Sequence, residues 1–210
     1  MIYHSDMINK DAAIKQLGNL FLRGGNASLG EQYARSWAAA AQLRAQLPGA
    51  GIDQLCQRAS IKYLSLVTAT GAITGAVAAA PYFGTISTIG STASDLYIFG
   101  RTSVNHVLLL AALHDLELTD PELRRLTVLS SLLNEQVPTR SLIESKSYIE
   151  NMNQRLAERV AIKVGAKLLP MRAGAALPLL IGAATAASLN AKLAKQISSN
   201  ALTVIKLQAV

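Results

Sequence analysis

Apolar residues recur along this chain at intervals of three and four positions, and no long stretch alternates apolar and polar residues. Such spacing is typical of helices that bury one face. Ile14, Leu17, Leu20 and Phe21 form one such stripe, in a helix predicted over residues 5–23. The pattern therefore predicts an all-α protein, a single domain built as a helical bundle of roughly seven helices.

Capping and breaking residues predict where these helices begin and end. Ser28 and Glu31 form a capping box, which is typical of a helix start. Asp120 followed by Pro121 marks another start, because Pro fits the first position of a helix. After the first helix, the predicted helices cover 28–47, 53–80, 87–114, 121–133, 141–169 and the tail from 192 onwards.

The longest stretch without a charged residue lies between Lys62 and Asp95, and it is rich in Ala, Gly, Ser and Thr. Pro81 and Gly84 interrupt it near its middle. Because Pro ends a helix, we predict an apolar, small-residue hairpin of two helices here.

Small residues recur on one face of this predicted hairpin. Gly71 and Gly75 are four positions apart, a spacing that lets another helix backbone approach closely. A charge-free run of this length is either inserted in a membrane or the tightly packed core of a soluble helical protein. The residues alone leave both interpretations open.

A second charge-free stretch covers residues 173–191 and has a similar composition, with Pro178 and Gly182 inside it. We predict that Gly182 and Asn190 pack against the first stretch. The packing positions singled out by the two stretches are Gly71, Gly75, Pro81, Gly84, Pro178, Gly182 and Asn190.

Composition favours a lipid partner. The chain is 50% hydrophobic and only 16% charged, and its net charge is +7 with a mean hydropathy of +0.28. A basic surface can bind nucleic acid, anionic lipid or an acidic protein. Because the chain is also unusually apolar, and because no nucleic-acid motif or aromatic-basic pattern is present, we expect anionic lipid rather than nucleic acid.

Four cations stand four residues apart on the helix predicted over 141–169, and they share one face. They are Arg155, Arg159, Lys163 and Lys167. Such a stripe is either a solvated helix face or a surface for anionic lipid headgroups or an acidic partner.

Polar residues also interrupt the apolar helix predicted over 87–114. They are Asp95, Arg101, Asn105 and His106. Polar groups in so apolar a helix are either satisfied inside the bundle or functional. We therefore treat these four as candidates for buried polar residues.

The sequence contains no recognisable catalytic or metal-binding motif. His106 and His114 point in different directions from one helix, and His4 is distant in sequence, so no metal or cofactor is predicted. The single cysteine, Cys56, rules out an intramolecular disulfide and fits a reducing compartment. The N-terminus shows no secretory signal pattern, so we expect a cytoplasmic protein.

The order of segments matches that of a known family. A Gly-rich apolar hairpin is followed by SDLYIF, which contains Asp95, and then by a long apolar helix. LHDLELTDPELRRL comes next, and LPLLIGAATAASLNAKLAKQISSNAL follows later with Pro178, Gly182 and Asn190. Over about residues 10–205 the chain resembles the EcsC family of bacterial helical proteins, although Leu113-His114 stands where that family has a Tyr-Gly pair.

The resemblance implies an association with membranes and a protein partner in a transport system, without an established biochemical activity. Together with composition, it predicts a membrane-associated accessory or regulatory protein that is not an enzyme. We expect it at the inner face of the cell membrane, peripheral or inserted. The alternative is a soluble helical protein that holds a lipid or another apolar ligand between its helices, and a hydrolase of unrecognised type comes third.

Overall fold

A computed structural model describes residues 25–78, 85–135, 148, 151–152, 154–156, 158 and 179–209. Within 25–28, 74–78, 85–97 and 179–186 it describes the backbone but not the side-chain surroundings. Six helices lie in the described part, and no strand does. The all-α prediction is therefore confirmed, whereas the helix predicted over 5–23 and the bend at Pro81 and Gly84 lie outside the described residues.

The helices are numbered here in chain order. They are α1 (Gly25–Gln46), α2 (Ile52–Ala78), α3 (Thr85–Leu113), α4 (Pro121–Leu133), α5 (helical positions between 148 and 158) and α6 (Leu179–Gln208).

Helix α1 starts earlier than its sequence predicts. It begins at Gly25, so Ser28 and Glu31 lie inside it and the capping-box prediction is wrong. The Glu31 carboxylate accepts a hydrogen bond from Arg35, one turn further on, at 3.2 Å.

Local signals place helix α4 correctly. Asp120 caps it by accepting a hydrogen bond from the backbone N–H of Glu122 at 2.9 Å, and Pro121 occupies its first turn. Asn134 ends it in the left-handed conformation, with φ of 58°. The predicted boundaries, 121 and 133, are confirmed.

Helix α3 is the centre of the bundle and contacts α1, α2, α4 and α6. Its C-terminal half is fully buried over Val107, Leu108, Leu110 and Leu113. Tyr63 of α2 contacts Ser103 of α3. Cys56, which is earlier in α2, contacts His114, which directly follows α3. Residue numbers therefore rise on one helix as they fall on the other, so α2 and α3 run antiparallel.

Helix α6 also runs antiparallel to α2. Ser198 meets Ser60, Asn190 meets Val67, and Lys206 meets Asp53. Since α3 and α6 are both antiparallel to α2, the C-terminal end of α2 lies beside the N-terminal ends of α3 and α6.

Two arginines hold the connection between α3 and α4. Arg44 donates to the carbonyl oxygen of Leu113 at 3.1 Å and so caps the end of α3. Arg124 donates to the carbonyl oxygen of Leu118 at 2.8 Å, and its guanidinium stacks 4.7 Å from the Tyr33 ring centroid. The Tyr33 hydroxyl in turn accepts from the Leu118 N–H at 3.0 Å, so this loop is fixed from both sides.

Candidate functional site

The antiparallel packing brings both charge-free stretches to one end of the bundle. We call this end the tip and define it as helical residues 66–78, 85–98 and 179–189. Asn190, buried beside the tip, donates from its side-chain amide to the carbonyl oxygen of Val67 at 3.1 Å. This is a contact between the second stretch and the first, as expected for Asn190.

The structure describes only some of the other predicted packing positions. Gly71 is buried on α2. Gly75 lies on α2 and Gly182 on α6, but their surroundings are not described. Pro81, Gly84 and Pro178 lie outside the described residues.

Large apolar side chains are exposed on all three helices of the tip. Ile73 of α2 is 66% exposed, and Leu66, Ile98 and Leu189 are exposed by 41–50%. Single exposed apolar residues are ordinary on a protein surface. Leu66, Ile98 and Leu189 lie at about one level of the three helices, and Ile73 lies about 10 Å nearer the end of α2. Exposed large apolar residues also occur away from the tip, at Leu47, Ile52, Ile61 and Leu207. Because three neighbouring helices share this exposure at the tip, the tip is a candidate for an apolar environment.

A group of cations, which we call the collar, borders the tip. It consists of Lys62, Lys192 and Lys195. All three are exposed, and none has a carboxylate partner in the part of the chain that the structure describes. Lys62 directly precedes the first charge-free stretch and Lys192 directly follows the second.

Three described cations away from the tip are paired with carboxylates. Arg44 contacts Asp115 at 2.9 Å, and Lys206 contacts Asp53 at 3.6 Å. Arg35 pairs with Glu31 within α1. Among the described residues, these three cations already have a carboxylate partner, whereas the collar cations do not.

The predicted basic stripe is only partly visible. Arg155 is paired with Glu135, whose oxygens lie 3.1 Å from its guanidinium, so its charge is largely compensated. Arg159, Lys163 and Lys167 lie outside the described residues. The collar was missed because its cations come from two helices far apart in sequence, although the position of Lys62 and Lys192 beside the charge-free stretches was a signal for it.

A chain of polar side chains crosses the interior where α2, α3 and α6 meet. The hydroxyls of Ser60 and Ser198 are 2.8 Å apart, and the Ser198 hydroxyl lies 3.1 Å from Nε2 of His106. The His106 ring stacks on Tyr63 with centroids 4.2 Å apart. The Tyr63 hydroxyl is 2.6 Å from that of Ser103, which donates to a backbone carbonyl.

Burial controls the ionisation of this chain. It lowers the pKa of His106 to about 4, because the charged imidazolium would lose its hydration. It also raises the pKa of Tyr63 to about 12, against a smaller opposing effect of the bond to Ser103. Near neutral pH both groups are therefore uncharged.

A serine beside a neutral histidine is also the beginning of a nucleophilic site. Here, however, His106 and Ser198 are both buried, and Nδ1 of His106 has no hydrogen-bond partner among the described residues. A catalytic pair needs a group that orients the imidazole and an approach for the substrate. In the described part of the chain these side chains join α2, α3 and α6 to one another.

The other polar candidates on α3 are placed differently from His106. Arg101 and Asn105 are exposed, so the expectation that they are buried is wrong. The inner face of α3 carries Ser103, His106 and Val107, and Asn105 is turned about 100° from His106 on the helix. Asp95 lies on α3 within the tip, but its side chain is outside the described set.

Cys56 and His114 form a second polar contact, at the end opposite the tip. The sulfur lies 3.7 Å from Nε2 of His114. Burial, together with the nearby Asp53 carboxylate, raises the pKa of the Cys56 thiol to about 11. Burial and the Lys206 charge lower the pKa of His114. Cys56 is therefore a protonated core thiol, which is a poor nucleophile.

Further searches of the described residues found neither a metal site nor a membrane span. No group of three or more His, Cys, Asp or Glu side chains there could hold a metal ion. Of the helices as far as they are described, none combines the length and the apolar character needed to cross a bilayer. Comparison with known proteins found no matching family model, curated protein or solved structure.

Proposed function

We propose that this protein is a membrane-associated accessory or regulatory protein without catalytic activity, which attaches to anionic lipid through its tip and collar. The observation that supports this most directly is that exposed apolar side chains on three helices lie next to exposed cations that have no carboxylate partner among the described residues. Anionic lipid headgroups supply the missing negative charge, and the acyl region accepts apolar side chains.

The binding free energies expected from these cations and apolar side chains are sufficient for reversible attachment to a membrane. A cation close to an anionic leaflet contributes about 1 kcal/mol, so the three of the collar contribute about 3 kcal/mol. Burying a large aliphatic side chain adds about 1.5–3 kcal/mol when burial is complete. Surface ion pairs elsewhere on the protein contribute much less, because both partners are already satisfied.

The resemblance to the EcsC family supports the same proposal from another direction. It implies association with membranes and a partner in a transport system. A basic collar fits the inner face of a cell membrane, where anionic lipids are concentrated. We therefore propose a cytoplasmic protein held at that surface.

The test is flotation with vesicles that contain phosphatidylglycerol, compared with vesicles of phosphatidylcholine alone. We expect binding to the anionic vesicles that weakens steeply as salt rises, because exposed charges are screened over about 8–10 Å. Carbonate washing then separates salt-released protein from protein that is held by inserted apolar residues.

A matched pair of variants locates the binding surface. Lys62→Gln with Lys195→Gln removes two collar charges, and Arg35→Gln with Lys206→Gln removes two charges elsewhere. We expect the collar variant to lose about 30-fold in affinity, which corresponds to about 2 kcal/mol, while the control variant changes little. Equal losses in the two variants would mean that net charge, and not the collar, controls binding. Absence of binding to either vesicle would refute the proposed function.

A further inference from the structure

We infer that the tip enters a single leaflet end-on, so that the bundle stands upright on the membrane with its collar among the headgroups. This inference rests on the proposed function and adds to it an orientation and a depth. It follows from the order of charged and apolar residues along the bundle axis.

Helix α3 supplies the axial scale by itself. Thr85 to Asp95 is about 15 Å of helix at 1.5 Å per residue, and this segment carries no charge before Asp95. Half of a bilayer's hydrocarbon core is also about 15 Å. Because a carboxylate is costly in hydrocarbon, Asp95 belongs at the headgroup boundary. Arg101 then stands about 9 Å further out, within the headgroup layer.

The collar falls at the corresponding level on the other two helices. Asn190 contacts Val67, so Lys192 of α6 lies close to the level of Leu66. Tyr63 contacts Ser103, which places Lys62 about one turn farther from the membrane than Arg101. Lysine side chains are long enough to reach phosphate groups from this position. Cations from all three helices thus lie just outside the charge-free end of the bundle.

The small-residue composition of the tip explains why insertion needs the collar. Ala, Gly, Ser and Thr allow close helix packing but gain little from transfer into hydrocarbon, compared with Leu or Ile. Ile73 is the exposed large side chain that lies deeper than the level of Asp95, whereas Leu66, Ile98 and Leu189 lie at the headgroup boundary. Insertion of this kind is shallow and reversible, with charge and apolar contact each supplying part of the affinity.

Depth-dependent quenching tests the orientation. Single cysteines are introduced in a Cys56→Ala background as Ile73→Cys, at the tip, and as Ile52→Cys and Leu207→Cys, at the opposite end. Ile73 and Leu207 are matched controls, since they are 66% and 65% exposed. Each variant is labelled with a small environment-sensitive fluorophore and mixed with phosphatidylglycerol vesicles that contain acyl-brominated lipid.

We expect a blue shift and bromine quenching for the label at position 73 only. Quenching at both 73 and 52, which lie at opposite ends of α2, would show that the protein lies flat and would overturn the end-on orientation. Binding without quenching at 73 would overturn insertion but leave surface attachment intact. Failure of all labelled proteins to bind, together with the unlabelled protein, would refute the proposed function itself.

Discussion

Leu55 and Ile73 lie on the same side of helix α2, about five turns apart, yet Leu55 is 3% exposed and Ile73 is 66% exposed. Leu55 belongs to the main core, together with Ala40 of α1 and Leu113 of α3. At the level of Ile73, no described residue covers this side of α2. One side of α2 therefore serves the core at one end and faces outward at the other.

The two residues should respond oppositely to substitution. Leu55→Ala should destabilise the fold by about 2–5 kcal/mol, because it creates a cavity in a packed core. Ile73→Ser should change the free energy of unfolding by less than about 0.5 kcal/mol, because an exposed site has little packing to lose. Urea unfolding measures both effects. In vesicle flotation, Ile73→Ser should bind anionic vesicles more weakly than Leu55→Ala does. A large loss of stability in Ile73→Ser would show that this side chain is covered in the folded protein.

Local signals in the sequence were sufficient where a single helix end decides the outcome. Asp120 and Pro121 predicted the start of α4, because a cap and a proline act within one turn. The start of α1 was predicted wrongly, since Glu31 has an alternative partner in Arg35 that a cap pattern does not weigh.

Features that depend on packing between distant segments were beyond prediction. Arg101 and Asn105 were expected inside, but which face of α3 is buried depends on where α2 and α6 pack against it. The collar depends on the antiparallel register that sets Lys62 beside the level of Lys195. Asn190 was more accessible to prediction, because a lone amide close to an apolar, small-residue run needs a hydrogen-bond partner when buried.

The buried His106 should make stability depend on pH. Its pKa is about 4 in the folded protein against an ordinary value of 6.5, so the unfolded chain binds the proton first as pH falls. Stability is therefore fully present above about pH 6.5 and decreases between pH 6.5 and 4, by about 2–3 kcal/mol. Urea unfolding at pH 7.5, 5.5 and 4.5 measures this change.

His106→Phe is the matched control for that titration. Phe keeps the stacking on Tyr63 but has no titrating group, and Ser198 retains its contact with Ser60. Carboxylates titrate in both proteins, so only the difference between the two pH profiles reports on His106. Identical profiles would show that this histidine does not lose its proton on burial.

Arg124 should be intolerant of a change to lysine, while its neighbour Arg125 should tolerate it. The Arg124 guanidinium donates to the carbonyl oxygens of Leu118 and Thr119 and stacks on Tyr33, and lysine cannot reproduce this planar, branched geometry. We expect Arg124→Lys to cost about 1–3 kcal/mol in the free energy of unfolding. Arg125→Lys should be nearly neutral. Similar losses in the two variants would mean that the loop is held by other contacts.

Cys56 should be unreactive in the native protein. Its thiol is buried and its pKa is about 11, so the thiolate is scarce at pH 8. A disulfide reagent such as dithionitrobenzoate should modify it slowly in buffer and rapidly in denaturant. The rate in buffer should follow the opening of the fold, so the destabilised Leu55→Ala variant should react faster than wild type. Rapid modification of folded wild-type protein would contradict the buried position of the thiol.

Asn190 should control how firmly α6 is attached to α2 beside the tip. Its side-chain amide donates a hydrogen bond to the backbone carbonyl oxygen of Val67, which lies within α2. Asn190→Ala removes the donor without leaving a new buried polar side chain, so the cost should be about 1 kcal/mol. Local opening should be affected more than global stability, because Val67 belongs to a smaller cluster outside the main core. Hydrogen exchange should therefore accelerate in α2 beyond Val67 and in the first turns of α6, while the buried half of α3 from Val107 to Leu113 stays protected.

Ser199→Ala, at an exposed position of the same helix, is the control and should leave both regions unchanged. Uniform acceleration across α2, α3 and α6 in Asn190→Ala would mean that the tip and the core open as one unit, and that Asn190 has no special role at the tip.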